Sequence, residues 1–129
     1  MLPAGSRLRR RADFTSTLRR SRGVRAGGLL VVHRAAADAT RDAPDAPDAV
    51  IPPAQVGFVV SRAIGPAVTR NRVRRRLRHA AAGRMAQLPA GARVVVRALP
   101  GSADATYAQL DAALGRALAA PPRTPVTRP

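Results

Sequence analysis

The sequence has no cysteine, lysine, glutamate or tryptophan, and it has one tyrosine and two phenylalanines among 129 residues. The absence of cysteine excludes a disulfide framework and any metal site with thiolate ligands. The N-terminus lacks the apolar core of a secretion signal, and no apolar run is long enough to span a membrane. We therefore expect a cytoplasmic protein with a single domain, because a chain of this length has room for one modest core.

Acidic residues are scarce in this chain. The chain has 23 basic residues, all arginine, against seven aspartates, for a net charge of +16. Four of the aspartates fall within residues 36–53, "AADATRDAPDAPDAVIPP", whose repeated Ala-Pro-Asp units predict a mobile loop. The rest of the chain is therefore more basic than the whole. Such an excess indicates a polyanionic partner, with nucleic acid first and an anionic membrane second.

Hydrophobic periodicity predicts an α/β fold, a small two-layer sandwich formed by residues 6–120, followed by a disordered tail at 121–129. The predicted order is helix, strand, strand, helix, strand, helix. In the first helix, Phe14 and Leu18 share a face, and Ser102 is the expected N-cap of the last helix. The predicted strands are 27–35, 55–61 and 92–99, and the predicted helices are 12–20, 65–88 and 102–118.

The densest charge lies in "TRNRVRRRLR", which begins at Thr69 and holds six arginines between Arg70 and Arg78. On a helix of about 100° per residue, its apolar residues gather into one stripe. Asn71, the only asparagine of the chain, gathers with arginines on the opposite side. The apolar stripe contains Val73, Leu77, Ala80, Ala81 and Leu88, and the cationic front contains Asn71, Arg74, Arg75 and Arg78, flanked by Arg72 and His79.

A charge run is often only a solvated helix face. Solvated faces usually mix both signs, because like charges at i,i+4 repel by roughly 0.2–0.5 kcal/mol per pair. Here Arg70 and Arg74, and Arg74 and Arg78, are like pairs with no acid near them in sequence. This pattern favours a bound anion, and the guanidinium fork suits phosphate.

The segment "VGFVVSRAIGPAVTRNRVRRRLR", residues 56–78, resembles the signature region of the bacterial ribonuclease P protein subunit. In that family a strand ends in Ser and a basic residue, a glycine follows, and a helix then carries Arg-Asn-Arg with further basic residues. The N-terminal "SRLRRRADF" is similar to the family's basic start. The resemblance covers about residues 6–119, and residues 36–53 look like an insertion.

The resemblance implies a mixed sheet with an unusual left-handed βαβ crossover around the Arg-Asn-Arg helix. It also implies a function: with a large catalytic RNA subunit, the protein removes the 5′ leader of precursor tRNA. The chain would thus act in an endoribonuclease whose chemistry belongs to Mg²⁺ ions held by the RNA. The protein itself would hold no metal or cofactor, would provide no catalytic side chain, and would need no membrane and no obligate protein partner.

The resemblance also assigns two groups of residues. One group would contact the RNA subunit, and the other would line a cleft for the single-stranded leader. The first comprises Arg7, Arg9, Ser61, Arg62, Arg70, Asn71, Arg72, Arg74, Arg75 and Arg78, and the second comprises Phe14, Leu18, Leu30, Val32 and Arg34.

The chain departs from the family pattern at three of its positions. Leu18 and Val32 stand where relatives commonly carry aromatics, and Ala63 stands where a second basic residue is frequent. Stacking of a base on an aromatic ring contributes ~1–3 kcal/mol. The leader contacts are therefore expected to be weaker, or to depend more on arginine.

Other functions fit the residues less well. A purely structural RNA-binding protein, such as a ribosomal protein, would share the composition but not the Ser61–Arg72 block. A membrane-surface role would need a richer apolar helix face. Protein-based cleavage would need a paired acid and base, whereas His33 and His79 lie on different predicted elements with no carboxylate beside them. Phe14 is also compatible with a core position.

Overall fold

The computed structural model describes residues 7–8, 14–15, 17–18, 23–36 and 54–119. The 36–53 loop beyond its first residue, the tail and Arg9 lie outside these ranges. Phe14 and Leu18 are helical, as predicted. The described elements are β1 (Val24–Ala26), β2 (Leu30–Ala36), β3 (Gln55–Val59), α1 (Ala67–Ala82), β4 (Ala92–Ala98) and α2 (Tyr107–Ala119).

The strands form one mixed sheet in the order β1-β2-β4-β3. β2 is antiparallel to both β1 and β4, whereas β3 and β4 are parallel. The parallel pair is connected through α1, so the fold contains a βαβ crossover; its handedness stays a prediction. β1 was not predicted, although Gly27 and Gly28 mark the hairpin that joins it to β2: both have positive φ, 59° and 69°.

One face of the sheet carries the main core. Residues directly opposite each other on neighbouring strands project to the same side. Val32 pairs with Val96, and Val96 pairs with Phe58, and all three contribute to the cluster that packs beneath α1 and α2. Of the three, Phe58 is half-buried and packs against the edge of the cluster. α1 contributes Val73, Leu77, Ala80 and Ala81, and α2 contributes Leu110, Ala113, Leu114, Ala117 and Leu118.

The N-terminal residues cover part of the opposite face. The backbone of Leu8 donates to the carbonyl of Val56 at 3.0 Å, and Arg7 forms a parallel bridge with Val56. The ring of Phe14 and the side chain of Leu8 both lie against Gly57. Val95, which pairs with Gly57, is fully buried although it points away from the helices. This face is thus partly covered and partly open.

The ends of the helices differ from the predicted ones. α1 stops at Ala82, and a 3-10 turn, Met85–Gln87, occupies the rest of the predicted helix. α2 begins at Tyr107 because Thr106 and Gln109 form a reciprocal capping box, with N···O distances of 2.9 and 3.1 Å. The prediction of Ser102 as the N-cap is wrong: its hydroxyl donates to Leu99 O at 2.7 Å within a separate turn.

An ion pair joins the end of α1 to α2. Arg84 donates from Nε and Nη2 to the two carboxylate oxygens of Asp111, each at 3.2 Å. Gly115 allows this approach, because a β-carbon there would lie 2.6 Å from Arg84 Nη1. The bidentate pair therefore links the segment that follows α1 to α2.

Candidate nucleic-acid interface

α1 divides into an apolar back and a cationic front, as the helical wheel predicted. Val73 and Leu77 are completely buried against the sheet. Asn71 and Arg75 are exposed, and Arg74 and Arg78 are half-buried. The front borders a surface depression of about 500 Å³, lined by Asn71, Arg74, Arg75, Arg78 and His79.

α1 itself does little to stabilise the positive charges of its cationic front. The first turn of α1 contains no acidic residue, and Pro66 provides no side-chain cap. Arg70, the fourth residue of α1, lies at the N-terminal end of the helix, where the dipole is positive and disfavours cations. The arrangement is therefore electrostatically unfavourable in the free protein, which points to an anionic partner.

Asn71 provides a hydrogen-bond acceptor among these donors. Arg74 Nη1 lies 3.5 Å from Asn71 Oδ1, at the outer limit of a hydrogen bond. The amide thus orients one guanidinium on the front. Arginine has no acceptor atom, so Asn71 adds a hydrogen-bond acceptor that the arginines of the front lack.

Arg7 joins this front from a distant part of the sequence. Burial, followed by the positive charges of Arg7 and Arg74, lowers the pKa of the Arg78 guanidinium. The three cations therefore lie close enough to oppose one another's charge. The sequence predicted both groups as RNA contacts, and the structure places Arg7, Arg74 and Arg78 together.

Two arginines on the flank of α1 have internal partners. Arg76 Nη1 donates to Ala105 O at 2.7 Å, and Arg72 Nη2 donates weakly to Ala103 O at 3.4 Å. Arg76 therefore anchors α1 to the turn that precedes α2. Arg72 is exposed and its contact is long, so its guanidinium remains accessible to a ligand.

The other predicted contacts of the RNA subunit lie at the start of α1. Ser61 and Arg62 are exposed in a 3-10 turn, whose residue Ile64 is buried and anchors it to the core. Arg70 is half-buried, and its Nε is fully enclosed. The structure therefore leaves Ser61 and Arg62 open to a ligand, whereas Arg70 is only partly accessible.

Two residues that were predicted to line the leader cleft lie in the core instead. Leu30 and Val32 are 0% and 1% exposed and belong to the core beneath the helices. A side chain enclosed in this way cannot contact RNA. The prediction chose the wrong face of β2, because alternation separates the two faces without showing which one the helices cover.

Arg34 lies on the same covered side. Its pairing with Val94 places it on the helix face, and its Nη1 donates to Leu118 O at 2.9 Å. The side chain therefore satisfies a carbonyl at the C-terminus of α2, where a cation also favours the helix dipole. Arg34 is a structural residue and does not line the cleft.

The open face of β2 carries Val31 and His33 instead. Val31 pairs with Arg97 and with Arg25, so these three lie on one side, and both arginines are exposed. Phe14 and Leu18 are both half-buried, and the Phe14 ring lies over Gly57 on this side of the sheet. Neither Val31 nor Arg97 is among the residues predicted to contact the leader, although alternation along Ala92–Ala98 separates Arg97 from the buried Val94 and Val96.

The structure does not bring the two histidines together. His33 projects to the open side of the sheet, whereas His79 lies on α1, which covers the other side. In the described ranges, no three His or acidic side chains cluster so as to hold a metal ion. Likewise, none of the helices seen there is long and apolar enough to cross a membrane.

An α/β sandwich with a cationic helix front and a partly open, basic sheet face defines a nucleic-acid-binding protein. The family model of ribonuclease P matches residues 2–121. The ribonuclease P protein component of Streptomyces avermitilis is 54% identical over 122 residues, covering 92% of this chain and 96% of its own. The chain therefore belongs to the ribonuclease P protein family and is a subunit of that endoribonuclease, which acts in tRNA processing.

Solved structures show the same fold at lower identity. The ribonuclease P protein of Staphylococcus aureus superposes with a TM-score of 0.71 at 22% identity, covering 88% of this chain and 93% of its own. That of Thermotoga maritima gives 0.68 at 21% identity, covering 87% and 94%. The family match, rather than the composition, decides against a ribosomal protein.

Proposed function

We propose that this chain binds the RNA subunit of ribonuclease P through the cationic front of α1 and through Arg7. We further propose that the partly open sheet face holds the single-stranded 5′ leader of precursor tRNA. The observation that carries the proposal is the depression of about 500 Å³ lined by Asn71, Arg74, Arg75, Arg78 and His79. Burial, and then the repulsion from Arg7 and Arg74, lowers the pKa of the Arg78 guanidinium beside it. A phosphate backbone would relieve that repulsion and release counterions.

The front of α1 suits a folded RNA. Its arginines can donate bidentately to phosphate oxygens, and Asn71 adds an amide that can accept from a base or a 2′-hydroxyl. Ser61 and Arg62 extend this surface from the turn before α1. The back of the helix is locked into the core by Val73 and Leu77, so these groups are presented from a rigid support.

The leader groove lies on the opposite side of the sheet. Phe14, whose ring lies against Gly57, forms one wall together with Leu18 one helical turn later. Val31 and Arg97 form the floor in place of Leu30, Val32 and Arg34, whereas the Nε2 atom of His33 is enclosed. Apolar surface beside exposed arginine suits a single strand, whose bases stack while its phosphates pair with cations. With Phe14 as the aromatic residue of this wall, arginine carries much of the affinity.

The role of the protein in the reaction is to bind and orient. The RNA subunit would hold the Mg²⁺ ions, and these would supply the chemistry of phosphodiester hydrolysis. The side chains of this chain hold the RNA subunit and the leader so that the scissile bond is positioned. His33 and His79 take no proton in this scheme.

Reconstitution with the RNA subunit of the same genome tests the proposal. The protein alone should cleave no precursor tRNA. Added to its RNA, it should lower the magnesium concentration needed for leader removal and favour precursor over mature tRNA. Cleavage by the purified protein without RNA would overturn the assignment of roles. Leader crosslinks that map away from Phe14, Val31 and Arg97 would overturn the groove.

A further inference from the structure

The single tyrosine of the chain lies on the surface. Tyr107 continues the stripe formed by Leu110, Leu114 and Leu118, and this spacing predicts a core position with the hydroxyl at the edge. Those three leucines are buried, but Tyr107 is 42% exposed at the first turn of α2. The ring is therefore more exposed than the stripe predicts, and Ala105, two residues earlier, is buried instead.

Tyr107 is in contact with His79 of α1. The ring centroids are 6.1 Å apart and the planes meet at 80°, an edge-to-face arrangement. His79 is exposed and also lines the depression formed by Asn71, Arg74, Arg75 and Arg78. An aromatic surface therefore borders the cationic front directly.

Packing of the two helices does not account for this surface. Leu77, Leu110 and Leu114 are buried between the helices and the sheet, and the Arg84–Asp111 pair ties the helix ends. A tyrosine that served only that packing would be buried with them. Instead, His79 and Tyr107 meet edge to face, and both side chains remain exposed to solvent.

We propose that His79 and Tyr107 form a platform on which one unstacked nucleobase of the RNA subunit stacks. This inference rests on the proposed function, since it names what the RNA presents beside the front of α1. Unpaired bases in loops and bulges are recognised by stacking on aromatic rings, and their flanking phosphates need cations close by. Arg75 and Arg78 provide those cations in the same depression.

Binding measurements with the RNA subunit across a range of salt concentrations test the platform. Tyr107→Leu should weaken binding about fivefold or more at every salt concentration, whereas Tyr107→Phe, which keeps the ring, should bind like the unaltered protein. The slope of log affinity against log salt should stay unchanged, because no phosphate contact is lost. His79→Ala should weaken binding in the same way, and His79→Phe should restore it.

Fluorescence provides a second, direct readout. The chain has no tryptophan, so Tyr107→Trp introduces a single reporter at the proposed platform. Excited where nucleobases absorb little, this residue should be quenched by the RNA subunit through stacking. Arg75→Ala in the same background should shift the quenching curve to higher RNA concentration without altering the quenching at saturation.

The outcomes separate the platform from the proposed function. Unchanged affinity of Tyr107→Leu, with Arg78→Ala still weakening binding, would overturn the platform and leave the RNA interface standing. A changed salt slope for Tyr107→Leu would show that the ring only positions the arginines, which also overturns the platform. If neither variant altered binding, the RNA interface on α1 would itself be wrong. Circular dichroism and thermal melting should show that each variant is folded.

Discussion

The ring of Phe14 lies against Gly57 and fills the space that any side chain at this position would occupy. The contact joins the N-terminal helical residues to β3 across the sheet face that we assign to the leader. Phe14 can therefore take its position only because residue 57 lacks a β-carbon.

Gly57→Ala should displace the Phe14 ring and weaken leader binding. We expect the preference of the holoenzyme for precursor over mature tRNA to fall several-fold, since one stacking contact contributes ~1–3 kcal/mol. Gly83→Ala is the matched control, because a β-carbon there makes only an ordinary contact, 3.7 Å from Ala80 O. Equal preference in Gly57→Ala and the unaltered protein would contradict the placement of the leader beside Phe14.

Arg34 and Arg97 should separate structural from RNA-binding arginines on the sheet. Arg34→Met removes the hydrogen bond to Leu118 O and should lower the free energy of unfolding by about 1.5–3 kcal/mol, the range for a charged donor. Arg97→Met, at an exposed position, should leave stability unchanged but weaken leader binding. Denaturant unfolding measures the effect on stability, and precursor tRNA affinity measures the effect on leader binding. If Arg34→Met weakened leader binding and Arg97→Met lowered stability, Arg34 would belong to the cleft after all.

Arg78→Ala should weaken RNA binding while sparing the free protein. Because burial and the charges of Arg7 and Arg74 disfavour the cationic form of Arg78, its removal should leave the melting temperature unchanged or raise it. The slope of log affinity against log salt should become shallower by roughly 0.7–0.9 for one lost phosphate contact. Arg116→Ala, an exposed arginine on α2, is the control. An equal change in slope for both variants would show that the front of α1 acts only through the overall charge of the protein, which would contradict the prediction.

The Arg84–Asp111 pair should stabilise the protein without taking part in RNA binding. A double-mutant cycle with Arg84→Ala and Asp111→Ala should give a coupling of about 0.5–1 kcal/mol, since the pair is bidentate but partly exposed. The affinity for the RNA subunit should stay constant in all three variants. A loss of affinity with Arg84→Ala alone would instead place Arg84 in the interface.

Hydrophobic periodicity and charge were enough to predict much of the site on α1. The back of Val73, Leu77, Ala80 and Ala81 and the front around Asn71 follow from helical geometry alone, because every residue advances by a fixed angle. Short-range signals were also present where they were overlooked, in the Gly27-Gly28 turn and the Thr106–Gln109 capping box.

The residues that line the leader cleft could not be predicted from periodicity. Alternation along β2 separates Leu30 and Val32 from Val31 and His33, but both pairs include apolar residues. Which pair is buried depends on where α1 and α2 pack, and that is a long-range contact. The same contact turns Arg34 from a candidate ligand of RNA into a partner of the Leu118 carbonyl.

The sequence by itself determined that this protein is basic and α/β, that it carries a two-faced arginine helix, and that it resembles the ribonuclease P family. These properties depend on composition and on neighbours a few residues apart. Only the tertiary structure decided that Arg7 meets Arg78, that Phe14 lies on Gly57, and that Tyr107 is exposed beside His79. Those pairs are distant in sequence, and the packing of the sheet and helices brings them together.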